Sequence, residues 1–189
     1  MRTIMPILLA MVFFDLSAGQ DAAGKFVAIG TLETRKPDEP ASIFQTAQAR
    51  FKLEYAAGAT AKHGKKAVPI SSLPAGTALL AEGTTEGKAG AQSIKIDKAT
   101  VVDSIQGKIV SIMETFPLRI ELQTDSGSID VQLENQTRTF RDSKVIDNNA
   151  LRGGQRMQVF GRKDVNSITA FELWVIVDKK SQNEKSNPK

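Results

Sequence analysis

Asp125-Ser126-Gly127-Ser128 is the stretch whose residue types come closest to an active-site motif. An aspartate in such a Ser/Gly loop is how aspartic proteases present a catalytic carboxylate. That chemistry needs two carboxylates that face each other and share one proton. The sequence holds no second Asp-Ser/Thr-Gly. The segment that would have to bury the loop is Glu121-Leu122-Gln123-Thr124, which is mostly polar. Asp, Ser and Gly are also ordinary turn formers. The tetrad therefore reads as a hairpin turn, no catalytic residue is assigned, and no enzyme is expected.

Two basic stretches offer a different chemistry. Lys62-His63-Gly64-Lys65-Lys66 is the densest basic stretch ahead of the C-terminal end, and Arg138, Arg141 and Lys144 fall in the matching part of the second half. Cations on connections of a rigid β body suit an anionic ligand. Lys62, His63, Lys65, Lys66, Arg138, Arg141 and Lys144 are thus the expected ligand-binding residues. Trp174 and Ile176 form a second candidate group. In Phe171-Glu172-Leu173-Trp174-Val175-Ile176-Val177 the alternating set Phe171, Leu173, Val175, Val177 is assigned to the core. Trp174 and Ile176 then point outward, towards the other half of the chain or towards a partner. Other site chemistries find little material. There are no cysteines and one histidine, His63. The acidic residues lack the spacing of a metal loop, and no phosphate loop or nucleophile motif is present. Neither a metal nor a cofactor is expected.

The elements that hold these residues are strands. Leu118, Ile120 and Leu122 alternate with polar residues, as do Ile129, Val131 and Leu133, so each segment has one buried and one wet face. The chain also matches itself. Phe44 to Tyr55 overlays Leu122 to Leu133 at 122 − 44 = 78 residues, and Lys66, Leu73, Gly76 and Gly83 meet Lys144, Leu151, Gly154 and Gly161 at that offset. At the front, Gly24-Lys25-Phe26-Val27 is laid on Gly107-Lys108-Ile109-Val110 at 107 − 24 = 83, which places five extra residues around Arg35 to Pro40. At the back, Ile94 and Ile96 are laid on Leu173 and Val175 at 173 − 94 = 79. Each half then has five short strands, with a long connection between the third and fourth (56–74 and 135–152). Leu73 and Leu151 are expected to plug the barrel ends, with Gly76 and Gly154 in the turns that follow. Gly83 and Gly161 are expected to close strands. The fold class read here is all-β, two tandem five-stranded OB-like barrels, over 24–103 and 107–178.

The ends have their own character. Met1-Arg2-Thr3, the apolar run Ile4 to Phe14 and the small residues that follow have the order of an export signal. Residues 1–19 are expected to be removed. The apolar run falls short of the ~20 residues a membrane span needs. Gln20 stands where a lipoprotein would carry its cysteine, so a soluble, periplasmic or secreted protein is expected. Residues 179–189 contain no large apolar side chain and read as a disordered basic tail.

The pattern Gly-x-x-Val-x-Ile, a strand pair, a long connection, then Leu-x-x-Gly-x-x-Val-x-Val-x-Gly resembles the exported bacterial β domains of the domain-of-unknown-function 5666 family. The second half carries it on Gly107, Val110, Ile112, Leu151, Gly154, Met157, Val159 and Gly161. The first half carries it on Gly24, Val27, Ile29, Leu73, Gly76, Leu79, Ala81 and Gly83. The resemblance implies an OB-like fold and an envelope address, and no activity.

The expected function is a non-catalytic binding or interaction module of the bacterial envelope. Protein binding or scaffolding is the first reading. Recognition of an anionic polymer or oligosaccharide through the basic connections is the alternative, and an uncharacterised enzyme is a remote third. The formal net charge is only +4. With Phe51 and Tyr55 assigned to the buried face, a basic, aromatic nucleic-acid surface is not expected.

Overall fold

The structure is a computed structural model and describes residues 24–34, 42–86 and 93–177. The expected signal segment 1–19, the insertion at 35–40 and the tail 179–189 lie outside the described residues. The described chain is all-β, with two three-residue 3-10 turns, Ile70–Ser72 and Asn148–Ala150. A first sheet takes β1 (Gly24–Glu33), β2 (Ile43–Thr46), β3 (Arg50–His63), β4 (Lys66–Pro69), β5 (Ala78–Glu86) and β6 (Ser93–Val101). A second takes β7 (Asp103–Met113), β8 (Leu118–Thr124), β9 (Gly127–Arg141), β10 (Lys144–Ile146), β11 (Arg156–Lys163) and β12 (Ser167–Ile176). Pairing in the first sheet runs β1-β5-β6-β3-β2 and back to β1, which closes a five-stranded ring; β4 is added at the side of β3. The second repeats the order as β7-β11-β12-β9-β8, closing on β7, with β10 beside β9. Within each ring one pairing is parallel, β3 with β6 and β9 with β12.

Alternation explains the interiors. In β8 and β9, Ile120, Leu122, Ile129, Val131 and Leu133 are buried while Arg119, Gln123, Ser128 and Asp130 face water. They join Ile109, Leu151, Met157, Val159, Ile168 and Leu173 in one core. The first ring encloses Leu32, Phe44, Leu53, Leu79, Ile94 and Ile96, with Phe26 set edge-on to Phe44 and Phe51. Leu151 plugs its ring as expected, fully buried. In the first ring Ile70 is the fully buried plug and Leu73 is only partly covered. Gly76 and Gly154 both hold positive φ, 85° and 86°, a conformation costly to a residue with a Cβ.

Strand register corrects three expectations. The connections 56–74 and 135–152 are not loops. The third strand of each ring runs on and turns back as a hairpin, β3–β4 and β9–β10. Small or polar inward residues (Ala59, Ala61; Thr137, Thr139) continue the alternation there, which hides it from a hydrophobic pattern. The front alignment also shifts. Phe26 pairs with Gly83 and Asp103 with Gly161, so β1 and β7 correspond at 103 − 26 = 77 residues. Gly107 therefore answers to Gly30, not Gly24, and the first half has no five-residue excess. The added Cβ explains the match: it would stand 2.4 Å from the Gln45 carbonyl oxygen at Gly30 and 2.8 Å from that of Gln123 at Gly107. At the back, Leu53 pairs with Ile94 and Val131 with Ile168, a shift of 168 − 94 = 74. Trp174 thus corresponds to Thr100, and Glu172 to Lys98.

Gly83 and Gly161 do not close strands either. Each lies within one, at a bulge, where a Cβ would stand 2.0 Å from the Lys95 carbonyl oxygen and 2.1 Å from that of Thr169. Only glycine admits the neighbouring backbone that closely. The link between the sheets is shorter than expected. Val102 alone separates β6 from β7, so Asp103–Gln106 belongs to the second sheet.

Candidate functional site

Each hairpin on the third strand ends in a cross-strand pair, and the two pairs correspond. His63 lies opposite Lys66, and Arg141 lies opposite Lys144. Both sit at the 78-residue offset. Arg141 and Lys144 are directly opposed cations, which repel. Among the described residues, no carboxylate is within ion-pair distance of Lys62, Lys65, Lys66, Arg141 or Lys144. Lys62, His63, Lys65, Lys66 and Lys144 are exposed. Arg141 is partly covered, and its Nη2 is shielded from solvent with no hydrogen-bond acceptor. A buried donor without a partner is rare in native proteins and costs about 1–3 kcal/mol, more when charged.

Arg138 does not join them. Alternation along β9 sets it on the outer face opposite Glu172, while Arg141 pairs with Val175 on the face that leads to the core. Arg138 Nη2 donates to Glu172 Oε2 at 2.8 Å, and its guanidinium carbon stands 5.5 Å from the Phe140 ring centroid. Glu172 is only 2% exposed. Its other oxygen accepts the indole N–H of Trp174 at 2.6 Å. Burial raises the Glu172 pKa above the usual carboxylate value, against the pull of the Arg138 charge and of the Trp174 and Arg138 hydrogen bonds. Sequence reading missed Glu172 because an acidic residue in an alternating strand looks like a solvent-facing one.

Trp174 points outward from its sheet, as expected, and its ring is used within the chain. It lies 4.4 Å from the Phe160 ring, centroid to centroid. Both belong to a cluster that joins Ile29, Ala78 and Leu80 of the first sheet, the linking Val102, and Phe160, Phe171 and Trp174 of the second. Phe171 was assigned to the ring's own core. Instead it is the extra residue of a bulge between Ala170 and Glu172, which turns it into this cluster. Ile176 is partly exposed at the end of β12.

The Asp125 tetrad is a turn. Asp125 and Ser126 connect β8 to β9, and Thr124 Oγ1 donates to the Gly127 carbonyl at 2.6 Å. The equivalent Thr46 Oγ1 donates to the Ala49 carbonyl at 3.0 Å. An open depression of about 380 Å³ lies beside the tetrad, and Asp125 is the only carboxylate that lines it. Another, of about 620 Å³, runs between the β7–β8 turn and the segment after β10, past Glu114, the exposed Phe116, Glu134 and Asp147. Among the described residues, no group of three or more His, Asp or Glu side chains is placed to hold a metal ion. No helix there is long and apolar enough to cross a membrane. No protein-family model, curated protein or solved structure matches the chain.

Proposed function

We propose that the protein is a non-catalytic binding module that takes an anionic polymer on the hairpins of its third strands. The observation that carries this reading is the Arg141 Nη2, shielded from water without an acceptor and set across from Lys144. A carboxylate, sulfate or phosphate oxygen supplies the missing acceptor, and a guanidinium binds such groups in a planar fork. His63 and Lys66 hold the corresponding cross-strand positions in the first sheet, both exposed. The protein-scaffold reading loses its main support, because the Trp174 ring is already packed against Phe160.

The two rings fit tandem OB-like barrels. Their strand order, with a parallel pairing of third and fifth strands, and the correspondence of Gly30 with Gly107 and Gly83 with Gly161 support that assignment. Membership of the domain-of-unknown-function 5666 family is part of the same proposal. The second half carries its pattern with Met157 at a valine position; in the first half the strand register makes Gly30 the counterpart of Gly107, which takes Val27 and Ile29 out of line with Val110 and Ile112. An export signal over 1–19 would set the module in the envelope, where anionic glycans and polyphosphates are accessible to it.

The test is binding of the chain from Gln20 onward to a polycarboxylate, a sulfated glycan and polyphosphate at physiological salt. The expected result is retained binding to one class and at least a tenfold loss in Arg141→Gln/Lys144→Gln. Equal affinity of that variant and the wild type would overturn the proposal. So would binding confined to low salt, which is the mark of generic electrostatics.

A further inference from the structure

Glu172 is the one charged side chain among the buried described residues. Its two oxygens each hold one donor: Oε2 the Arg138 guanidinium and Oε1 the Trp174 indole N–H. Among the described residues, Arg138 is the one charge that acts on it. β11 presents Phe160 at the cross-strand position, and β9 presents Arg138. The first sheet contributes Ile29, Ala78 and Leu80 to the adjoining cluster, and the link contributes Val102. None of these four titrates. Arg138 is held through one nitrogen only, and its side chain is 35% exposed. The first sheet has Thr60 and Lys98 at the corresponding pair, both exposed.

We propose that Glu172 is a proton-operated latch within the second sheet, set beside the cluster that joins it to the first. Ionised, it clamps Arg138 and Trp174 beside the inter-sheet cluster; protonated, it lets go of the Arg138 guanidinium. The acid form places its proton on Oε2 and keeps Oε1 as acceptor for the indole. Arg138 then loses its only acceptor and turns outward to water, a short move for a side chain already partly exposed. The outer face of the second sheet gains a free cation on acidification, and the Trp174 ring loses a neighbouring negative charge. Burial raises the Glu172 pKa, which moves this change upward from the usual glutamate value. The latch does not depend on the anion-binding reading.

The chain has a single tryptophan, so its emission reports on this site alone. We would titrate Trp174 fluorescence in the full chain from about pH 8 down to about pH 4, a window that spans shifted and ordinary carboxylates. The expected result is one transition in the wild type, with the far-ultraviolet β signal unchanged. Glu172→Gln abolishes it. Arg138→Met moves its midpoint to higher pH, because the cation that favours the ionised form is gone. Flat wild-type emission, a transition that persists in Glu172→Gln, or a midpoint that fails to rise in Arg138→Met would each overturn the latch. So would loss of the β signal along with the transition. Should Glu172→Gln fail to fold, the wild-type and Arg138→Met titrations decide the matter.

Discussion

The same crossing of strands carries opposite chemistry in the two sheets. Where β3 meets β6, Thr60 faces Lys98 and both are exposed. Where β9 meets β12, Arg138 faces Glu172, and the glutamate is buried. The backbone is equivalent; the cover is not. In the second sheet this outer face lies beside the cluster built on Phe160, Phe171 and Trp174, so a carboxylate there needs partners. In the first sheet the cluster draws on β1 and β5 instead, and a lone lysine on β6 stays in water at no cost. The same strand order can thus keep one face solvated in one sheet and turn it into a joint in the other.

Substitutions can break or sharpen that comparison. The largest effect is expected where the sheets agree. Gly83→Ala and Gly161→Ala each drive a Cβ against a carbonyl oxygen and should cost roughly 3 kcal/mol or more. Comparable losses in denaturant unfolding confirm that the two sheets share the constraint; a mild effect in either breaks the equivalence. Next comes the site where they differ. Glu172→Ala strips the partner from Arg138 and from the half-buried indole N–H and should cost about 2–3 kcal/mol. Lys98→Ala, its counterpart, should stay within about 0.5 kcal/mol. Similar values for the two would deny the asymmetry. Removing the turn hydroxyl, by Thr46→Val or Thr124→Val, should have the smallest effect, about 1 kcal/mol in each sheet.

The pH dependence of stability follows from the direction of the Glu172 shift. A carboxyl whose pKa is raised by folding binds its proton more tightly in the native state. Its favourable contribution is complete below the unfolded-state pKa and disappears as pH rises through the folded value. The wild type should therefore gain stability relative to Glu172→Gln as pH falls through that window. Urea midpoints of the two proteins measured in parallel isolate this group from the other carboxylates. A constant difference across the window would contradict the shift.

Much of the fold was legible because apolar alternation is a strong signal where inward residues are large. Ile120, Leu122, Ile129 and Val131 announced β8 and β9. The signal failed where inward positions turn small or polar. Ala59 and Ala61 concealed the far end of β3, and Thr137 and Thr139 that of β9. Bulges caused the other misreadings. A strand read by strict alternation puts Phe171 inside; one extra residue puts it at the joint. The end alignments went astray for a related reason. Sliding the sequence rewards any glycine or apolar run, whereas Gly30 and Gly107 are tied by what crowds them, the carbonyls of Gln45 and Gln123. At the site, the cationic hairpins could be read from Lys62 to Lys66 and Arg138 to Lys144. Their division into a bound Arg138 and an unpartnered Arg141 could not, because strand register decides which face each occupies.

Val102 has one more implication. It is the only residue between two paired strands, and it is 9% exposed. A protease must seize several residues in an extended, unpaired form, and such sites are found in exposed, loosely held segments. At this junction there is no slack to seize. Cleavage here must wait until β6 or β7 leaves its sheet, so the bond between the halves is guarded by the stability of the halves themselves.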